Sequence, residues 1–345
     1  MRPDAAERAT SSACLEDRHG RRLDYLRVSV TDLCNFRCTY CHPASGFALQ
    51  PRDELLSSEE IERLCRIFAR LGVRKIRLTG GEPLLRRDLV PLVERLRCIE
   101  GIASLALTTN GARLSALARR LADAGLDSVN VSLDSLDRQR FERITGRDEI
   151  DLVLRGIETA LTSGLAVKVN VVAMRDLERA EVLAFCEMAE RLAIEVRFIE
   201  FMPLCGTAWR PDLVLPLDRV RSWIEEERKL EPATARGARV AESFRFAGGA
   251  GGVGFIASLT DPFCGACNRI RMTASGRLGL CLFSQLGVDL RGPLRRGAPD
   301  EEIAQTIRQS VWQKPKGAEE FQRAVETGKR SAGSVSLPSI RLLGG

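Results

Sequence analysis

The chain has 345 residues, 44% hydrophobic and 28% charged, enough to bury a substantial core in one large domain or two. A formal net charge of +6 and a pI near 8.8 suit an anionic small molecule as well as a nucleic acid, but an aromatic content of 5% argues against a base-stacking nucleic-acid platform. No apolar run reaches the roughly 18–20 residues of a membrane span, and the amino terminus lacks a signal peptide's apolar stretch, so a cytoplasmic, thiol-reducing setting without a membrane partner is expected.

Residues 1–20 are polar and small and read as a disordered extension. From Leu26 onward, β-branched runs at 26–30, 75–80, 104–110, 128–134, 166–173 and 195–202 alternate with helical patterns at 58–71, 87–98, 113–124, 150–163 and 177–192. Ser57 and Glu60 frame a capping box, and Gly72, Gly125 and Gly164 stand where helices end. Strands alternating with helices imply right-handed crossovers and a parallel sheet. The fold class is therefore α/β, and six such units predict a partial (β/α)6 TIM-type barrel over residues 21–205.

In such a barrel, function gathers at the carboxyl ends of the strands. The polar irregularities fall there: Thr31–Cys34, Gly80–Glu82, Thr108–Asn110, Ser132 with Asp134, and Glu200 with Met202, while Asn170 lies within the fifth strand. After residue 205 the rhythm fails. A strand or turn and then a helix fit 213–230, a Gly-rich turn fits 247–255, and helices fit 300–312 and 317–327. Residues 206–345 thus read as a C-terminal extension.

Eleven cysteines include two groups of three; Cys14, Cys65, Cys98, Cys186 and Cys205 are scattered and read as small buried hydrophobes. Cys34-x3-Cys38-x2-Cys41 fits one helical face, but Asn35, Arg37 and Thr39 make that face a poor core. A structural zinc takes four ligands, whereas three thiolates suit a four-iron cluster with one iron open to a non-protein ligand. Cys264-x2-Cys267-x13-Cys281 poses the same choice. A zinc there needs a scattered fourth ligand such as Cys205; a second cluster does not. Arg269 and Arg271 lie two apart, so on a strand they share a face beside that open iron.

The Cys-x3-Cys-x2-Cys run with Tyr40 before its last cysteine, together with Gly80-Gly81-Glu82-Pro83, resembles the radical S-adenosylmethionine (SAM) superfamily. The wider set of "LRVSVTDLCNFRCTYC", "KIRLTGGEPLLRRDL", "LTTNG", "NVSLDS", "VKVNVV", "RFIEFM", the second cysteine group with its two arginines and the terminal Gly344-Gly345 resembles the GTP 3′,8-cyclase (MoaA) family from about Leu23 to the end. This resemblance implies two [4Fe-4S] clusters, one on Cys34, Cys38 and Cys41 and one on Cys264, Cys267 and Cys281. It implies SAM contacts at Tyr40, Gly81, Ser132 and Met202. It implies GTP contacts at Arg27, Lys75, Arg77, Thr108, Lys168 and Arg197, completed by Arg269, Ile270 and Arg271 at the second cluster. The implied reaction is conversion of GTP to 3′,8-cyclo-7,8-dihydro-GTP by a 5′-deoxyadenosyl radical, the first step of molybdenum cofactor biosynthesis. The implied partners are a low-potential flavodoxin- or ferredoxin-like electron donor and the cyclic pyranopterin monophosphate synthase that takes the product, and a homodimer is compatible with it. His42 in place of the usual Met, a short loop before Pro51 and the "SIRLLGG" approach to the tail depart from the family pattern.

The residues support the same direction independently. Lys75 and Lys168 are two of six lysines, and both sit in strand patterns with Arg27, Arg77 and Arg197. Like charges turned into a barrel lumen are too costly to bury unless an anion joins them. A peptide-modifying radical SAM enzyme would call for more cysteines after residue 264, and a non-catalytic metal scaffold for zinc.

Overall fold

The computed structural model describes residues 14–42, 49–204, 209–233 and 240–317. Six strands, β1 (Tyr25–Ser29), β2 (Lys75–Thr79), β3 (Ser104–Thr109), β4 (Ser128–Ser132), β5 (Ala166–Ala173) and β6 (Glu195–Glu200), pair in chain order, all parallel. The crossovers carry α1 (Ser58–Arg70), α2 (Leu89–Arg97), α3 (Leu114–Asp123), α4 (Arg138–Thr145), α5 (Ile150–Thr162) and α6 (Arg179–Leu192). The expected helix signals are in place. Ser57 accepts from Glu60 N while the Glu60 carboxylate accepts from Ser57 N, and Gly72, Gly125 and Gly164 take positive φ.

Helix α4 was not legible as a helix, because Phe141 and Ile144 are its only large apolar residues and leave no sustained period. Asp137 caps it by accepting from Arg140 N at 2.7 Å, and Gly146 ends it at φ 69°.

The chain beyond residue 209 adds α7 (Leu217–Glu225), β7 (Leu230–Pro232), β8 (Glu242–Phe246), β9 (Gly252–Ile256), β10 (Arg269–Met272), β11 (Leu278–Gly279), α8 (Arg291–Arg295) and α9 (Asp300–Trp312). The sheet order is β11-β10-β1-β2-β3-β4-β5-β6-β9-β8-β7. β9 joins β6 and β10 joins β1, both in parallel, so this part of the chain extends the sheet at each side. The Gly-rich run expected as a turn is half strand. A Cβ on Gly252 would stand 2.1 Å from the Phe244 carbonyl oxygen, so the close approach of β8 and β9 requires glycine there.

Strand alternation divides the buried residues between two sides. Leu26, Val28, Ile76, Leu78, Val129, Val131, Val169 and Ile270 join the hydrophobic core with the inward stripes of the helices. The intervening positions carry the polar side chains described below.

Residues 14–20, placed in the expected disordered extension, are packed instead: Leu15 and Asp17 are buried and Glu16 bridges to Arg22. Residues 1–13, Cys205, and 318–345 with the remainder of the 317–327 helix and the Gly344-Gly345 tail lie outside the described residues. Among the described residues no helix is long and apolar enough to cross a membrane. Cys65 and Cys186 are buried as expected, whereas Cys98 is exposed.

Candidate active site

The loop after β1 carries the first three cysteines, and the loop after β2 holds it by backbone contact. Gly81 N donates to Thr31 O at 2.8 Å and Glu82 N to Leu33 O at 2.6 Å. A Cβ on Gly80 would lie 2.4 Å from Thr31 O, and one on Gly81 2.1 Å from Leu33 O, so the two glycines are what lets the loops touch. The buried Glu82 carboxylate accepts from Leu84 N (3.0 Å), Thr109 Oγ1 (2.6 Å) and Asn110 N (2.7 Å), tying the ends of β2 and β3 together. Burial pushes this carboxyl up to about 7 in spite of those bonds.

Farther along, Arg37 N and Thr39 N donate to Thr145 O and Ile144 O at the end of α4, and Asn110 Nδ2 donates to Asn35 Oδ1. Tyr40 Oη donates to Asp134 Oδ2 at 2.7 Å, and Val172 N donates to Asp134 Oδ1 at 2.8 Å. Arg140 fixes the Asp134 main chain at 2.6 Å and is itself held by Asp176 and Glu181. The cysteine loop is thus anchored to β2, β3, β4 and α4.

All six cysteines of the two groups line one cavity of about 440 Å³. Tyr40, Gly81, Ser132 and Met202 line it, and so do Arg27, Lys75, Arg77, Thr108, Lys168, Arg197, Arg269 and Arg271. Of the sequence candidates only Ile270 does not; its side chain is fully buried in the hydrophobic core on the other side of β10. No disulfide links the described cysteines.

The donor set tests what each triad can hold. A structural zinc takes four protein ligands held close together, whereas each group here offers three cysteines. Thiolates of an iron–sulfur cluster each bind a different iron and stand farther apart. Three cysteines per group, all lining the cavity, match in number and donor type a cluster that keeps one iron open. Burial raises the Cys267 thiol, but Lys314 and Arg269 outweigh it and bring it down to about 7, so Cys267 favours thiolate.

The cations form a connected field. Arg77 Nε donates to Tyr25 Oη at 2.6 Å and its Nη1 to Leu107 O at 2.9 Å, while Lys75 Nζ sits 4.8 Å from the centre of the Tyr25 ring. Arg197 Nε donates to Asn170 Oδ1 at 3.0 Å. Lys168, half-exposed, pairs with Glu195, which also accepts from Ser243 Oγ at 2.6 Å. Burial and then Arg271, Arg77 and Arg269 push Arg27 well below the ordinary arginine range, with Tyr25 opposing. Burial lowers Arg197 to about 10, as it does Arg271 with help from Arg269. Burial raises the Tyr25 phenol, yet Arg77, Arg27 and Lys75 overcome this and hold it at about 7. Such mutual lowering is the mark of a site short of negative charge.

Sequence reasoning did not single out Tyr25, Glu195 or Lys314, all of which line the cavity. The signal for Tyr25 was its place two residues before Arg27, on the same strand face. Glu195 had a weaker one, two before Arg197. Lys314 had none, since it follows Cys281 only at the end of α9.

Residues 28–189 match the family model of the radical SAM superfamily, and residues 194–320 match the model described as Molybdenum Cofactor Synthesis C. The GTP 3′,8-cyclase of Thermodesulfovibrio yellowstonii is 45% identical over 309 residues, covering 89% of this chain and 96% of that protein. The mouse molybdenum cofactor biosynthesis protein 1 is 44% identical over 308 residues, covering 89% of this chain and 48% of that longer protein. Among solved structures, Streptococcus suis SuiB superposes with a TM-score of 0.56 at 15% identity, covering 88% of this chain and 69% of that one, a likeness of fold alone. With relatives this similar over nearly its whole length, the chain belongs to the GTP 3′,8-cyclase family of the radical SAM superfamily.

Proposed function

We propose that the protein is a radical SAM GTP 3′,8-cyclase, converting GTP to 3′,8-cyclo-7,8-dihydro-GTP at the start of molybdenum cofactor biosynthesis. The observation that carries this reading is one cavity bearing two cysteine triads and basic side chains from five strands, β1, β2, β5, β6 and β10. On this reading the six central strands form a partial barrel, and the chain from residue 206 carries a second cluster and closes the substrate end.

Cys34, Cys38 and Cys41 would hold the first [4Fe-4S] cluster, and Tyr40, Gly81, Ser132 and Met202 would hold SAM. Cys264, Cys267 and Cys281 would hold the second cluster, which would supply an iron site able to take up the guanine. When bound, the first cluster and SAM supply a one-electron reduction of the sulfonium and hence a 5′-deoxyadenosyl radical.

The protein's own side chains bind and orient. Arg27, Lys75, Arg77, Thr108, Lys168 and Arg197 receive the triphosphate and ribose, and Arg269 and Arg271 flank the base. Charge-assisted bonds from several directions fix the ribose relative to the SAM end, which is what a short-lived alkyl radical requires. The loop contacts of Gly80, Gly81 and Glu82 hold the loop that carries the first triad. Tyr40 is aimed by Asp134 rather than left to rotate.

A low-potential electron donor of the flavodoxin or ferredoxin type and a downstream cyclic pyranopterin monophosphate synthase follow as partners. A peptide substrate would give no reason for cations on five strands. The test is product analysis after anaerobic reconstitution with GTP, SAM and reductant. 5′-Deoxyadenosine accompanied by a cyclised nucleotide supports the reading; 5′-deoxyadenosine with unchanged GTP refutes the substrate.

A further inference from the structure

Two buried cations outside the sequence candidates converge on the main chain of the second triad. Lys314, only 2% exposed, follows α9 and directs its Nζ to Arg269 O at 3.0 Å and also to Leu280 O. Arg269 lies two residues after Cys267, and Leu280 immediately precedes Cys281. One ammonium therefore joins the two stretches of chain that bring these cysteines to the cavity.

Arg21, 8% exposed, completes the arrangement. Its Nε pairs with the buried Asp17 at 2.6 Å, and its Nη1 donates to Cys264 O at 2.8 Å. It also donates to Lys316 O at 2.7 Å and Pro315 O at 2.6 Å, the residues that follow Lys314. The segments carrying all three cysteines are thus tied to two cations, and the cations are tied to one another through residues 314–316.

Carbonyls at a loop's surface are ordinarily satisfied by water, so burying two charged side chains for this purpose needs a reason. A fixed positive charge beside the thiols supplies one. Reduction adds negative charge to a cluster, and a neighbouring cation favours the reduced form.

We propose that Lys314, braced by Arg21, is a positioning residue of the second iron–sulfur site: it sets the spacing of the Cys264, Cys267 and Cys281 segments and raises the reduction potential of the cluster they hold. This rests on the reading that this triad binds a cluster.

The test uses the full chain with Cys34, Cys38 and Cys41 replaced by serine, reconstituted anaerobically so that only the second site can load. About four irons per chain, with matching labile sulfide, establish the site; a chain free of iron removes the cluster reading and the proposal with it. In that background, Lys314→Met and Lys314→Gln are compared with Lys314→Arg by spectroscopically monitored redox titration and by iron release to a chelator. The two neutral variants are expected to favour the oxidised cluster about tenfold, a midpoint lower by about 59 mV for one electron, and to release iron faster. Lys314→Arg is expected to restore the midpoint. Lys314→Gln keeps a donor without the charge, so it carries the comparison should Lys314→Met fail to fold. A neutral variant with an unchanged midpoint overturns the electrostatic role, and one that also retains iron at the original rate overturns the proposal entirely. Arg21→Met, which leaves Lys314 in place, is expected to speed iron release with a smaller change in midpoint.

Discussion

Replacing Gly81 by alanine probes whether the first triad depends on backbone contact with the loop after β2. The added Cβ would meet Leu33 O at 2.1 Å, Leu33 C at 2.6 Å and Asp32 O at 2.9 Å. These are main-chain atoms one and two residues before Cys34, so no side-chain rotation relieves the overlap. The Leu33 carbonyl must retreat by about 1 Å to reach a tolerable contact, and it then loses the 2.6 Å bond it accepts from Glu82 N. Overpacking of this kind costs about 1–3 kcal/mol and the lost bond about 1 kcal/mol more. A total near 3 kcal/mol corresponds to roughly 150-fold in the equilibrium between a closed and an opened cysteine loop. Gly265 is the control, because it also sits beside a triad cysteine, Cys264, but a Cβ there meets nothing within 4 Å. The assay is iron release from reconstituted protein to a chelator, with a Cys264, Cys267 and Cys281 to serine background isolating the first site. Gly81→Ala is expected to release iron about 100-fold faster, and Gly265→Ala in otherwise unaltered protein to behave as the parent. If Gly81→Ala holds iron as firmly as the parent, the loop contact does not secure the triad and the reasoning fails.

Tyr25 should titrate near pH 7 in substrate-free protein, measured as phenolate absorbance and absent from Tyr25→Phe; a midpoint close to the ordinary 10 would contradict the cation field drawn here. Because the folded-state value lies below the unfolded one, the stabilisation from this phenolate is complete above about pH 10 and is lost as pH falls through about 7, so Tyr25→Phe should cost more stability at pH 9 than at pH 6. Arg197→Met removes a cation held by Asn170 and is expected to weaken binding of GTP about 10- to 100-fold and to flatten its salt dependence, read by calorimetry at two ionic strengths. Asp134→Asn breaks the charge-assisted bond that aims Tyr40, so SAM affinity should fall about tenfold with GTP affinity unchanged; equal losses in both would place Asp134 in general folding instead.

The parts of the molecule legible in the sequence are those with a short-range period or spacing. Six β/α units announced themselves through alternation and helix caps, and both cysteine triads through their intervals. Helix α4 was hidden because its polar surface leaves two apolar anchors, although Arg140 within it supports the Asp134 segment. β9 was hidden because glycine ordinarily signals a turn, whereas Gly252 serves the close approach of β8. The joining of β9 to β6 and of β10 to β1 has no local signature, since it is set by tertiary pairing across long stretches of chain. Ile270 shows what strand alternation does to a side chain between two cavity-facing arginines. Its neighbours Arg269 and Arg271 face the cavity, so strand alternation turns its own side chain into the core.

The same alternation explains how a chain can place so many cations in one cavity and still fold. Every second residue of β1, β2, β6 and β10 serves the core, so the strands are anchored by apolar burial while their other face carries charge. The charge is then distributed over partners the protein already contains: Tyr25 and Leu107 for Arg77, Asn170 for Arg197, Glu195 for Lys168. An arriving polyanion does not meet bare cations. It exchanges with a phenolate, a carboxylate and several oxygen acceptors, and its affinity is the difference between the two sets of interactions. Tyr25 and Glu195 therefore act on substrate binding with opposite effects on the free protein: each stabilises the fold by neutralising a cation, and each subtracts from the attraction that cation can offer a triphosphate. That trade keeps the empty cavity tolerable while leaving a field strong enough to favour a multiply charged nucleotide over a neutral or singly charged ligand, which could not compensate for the partners it displaces.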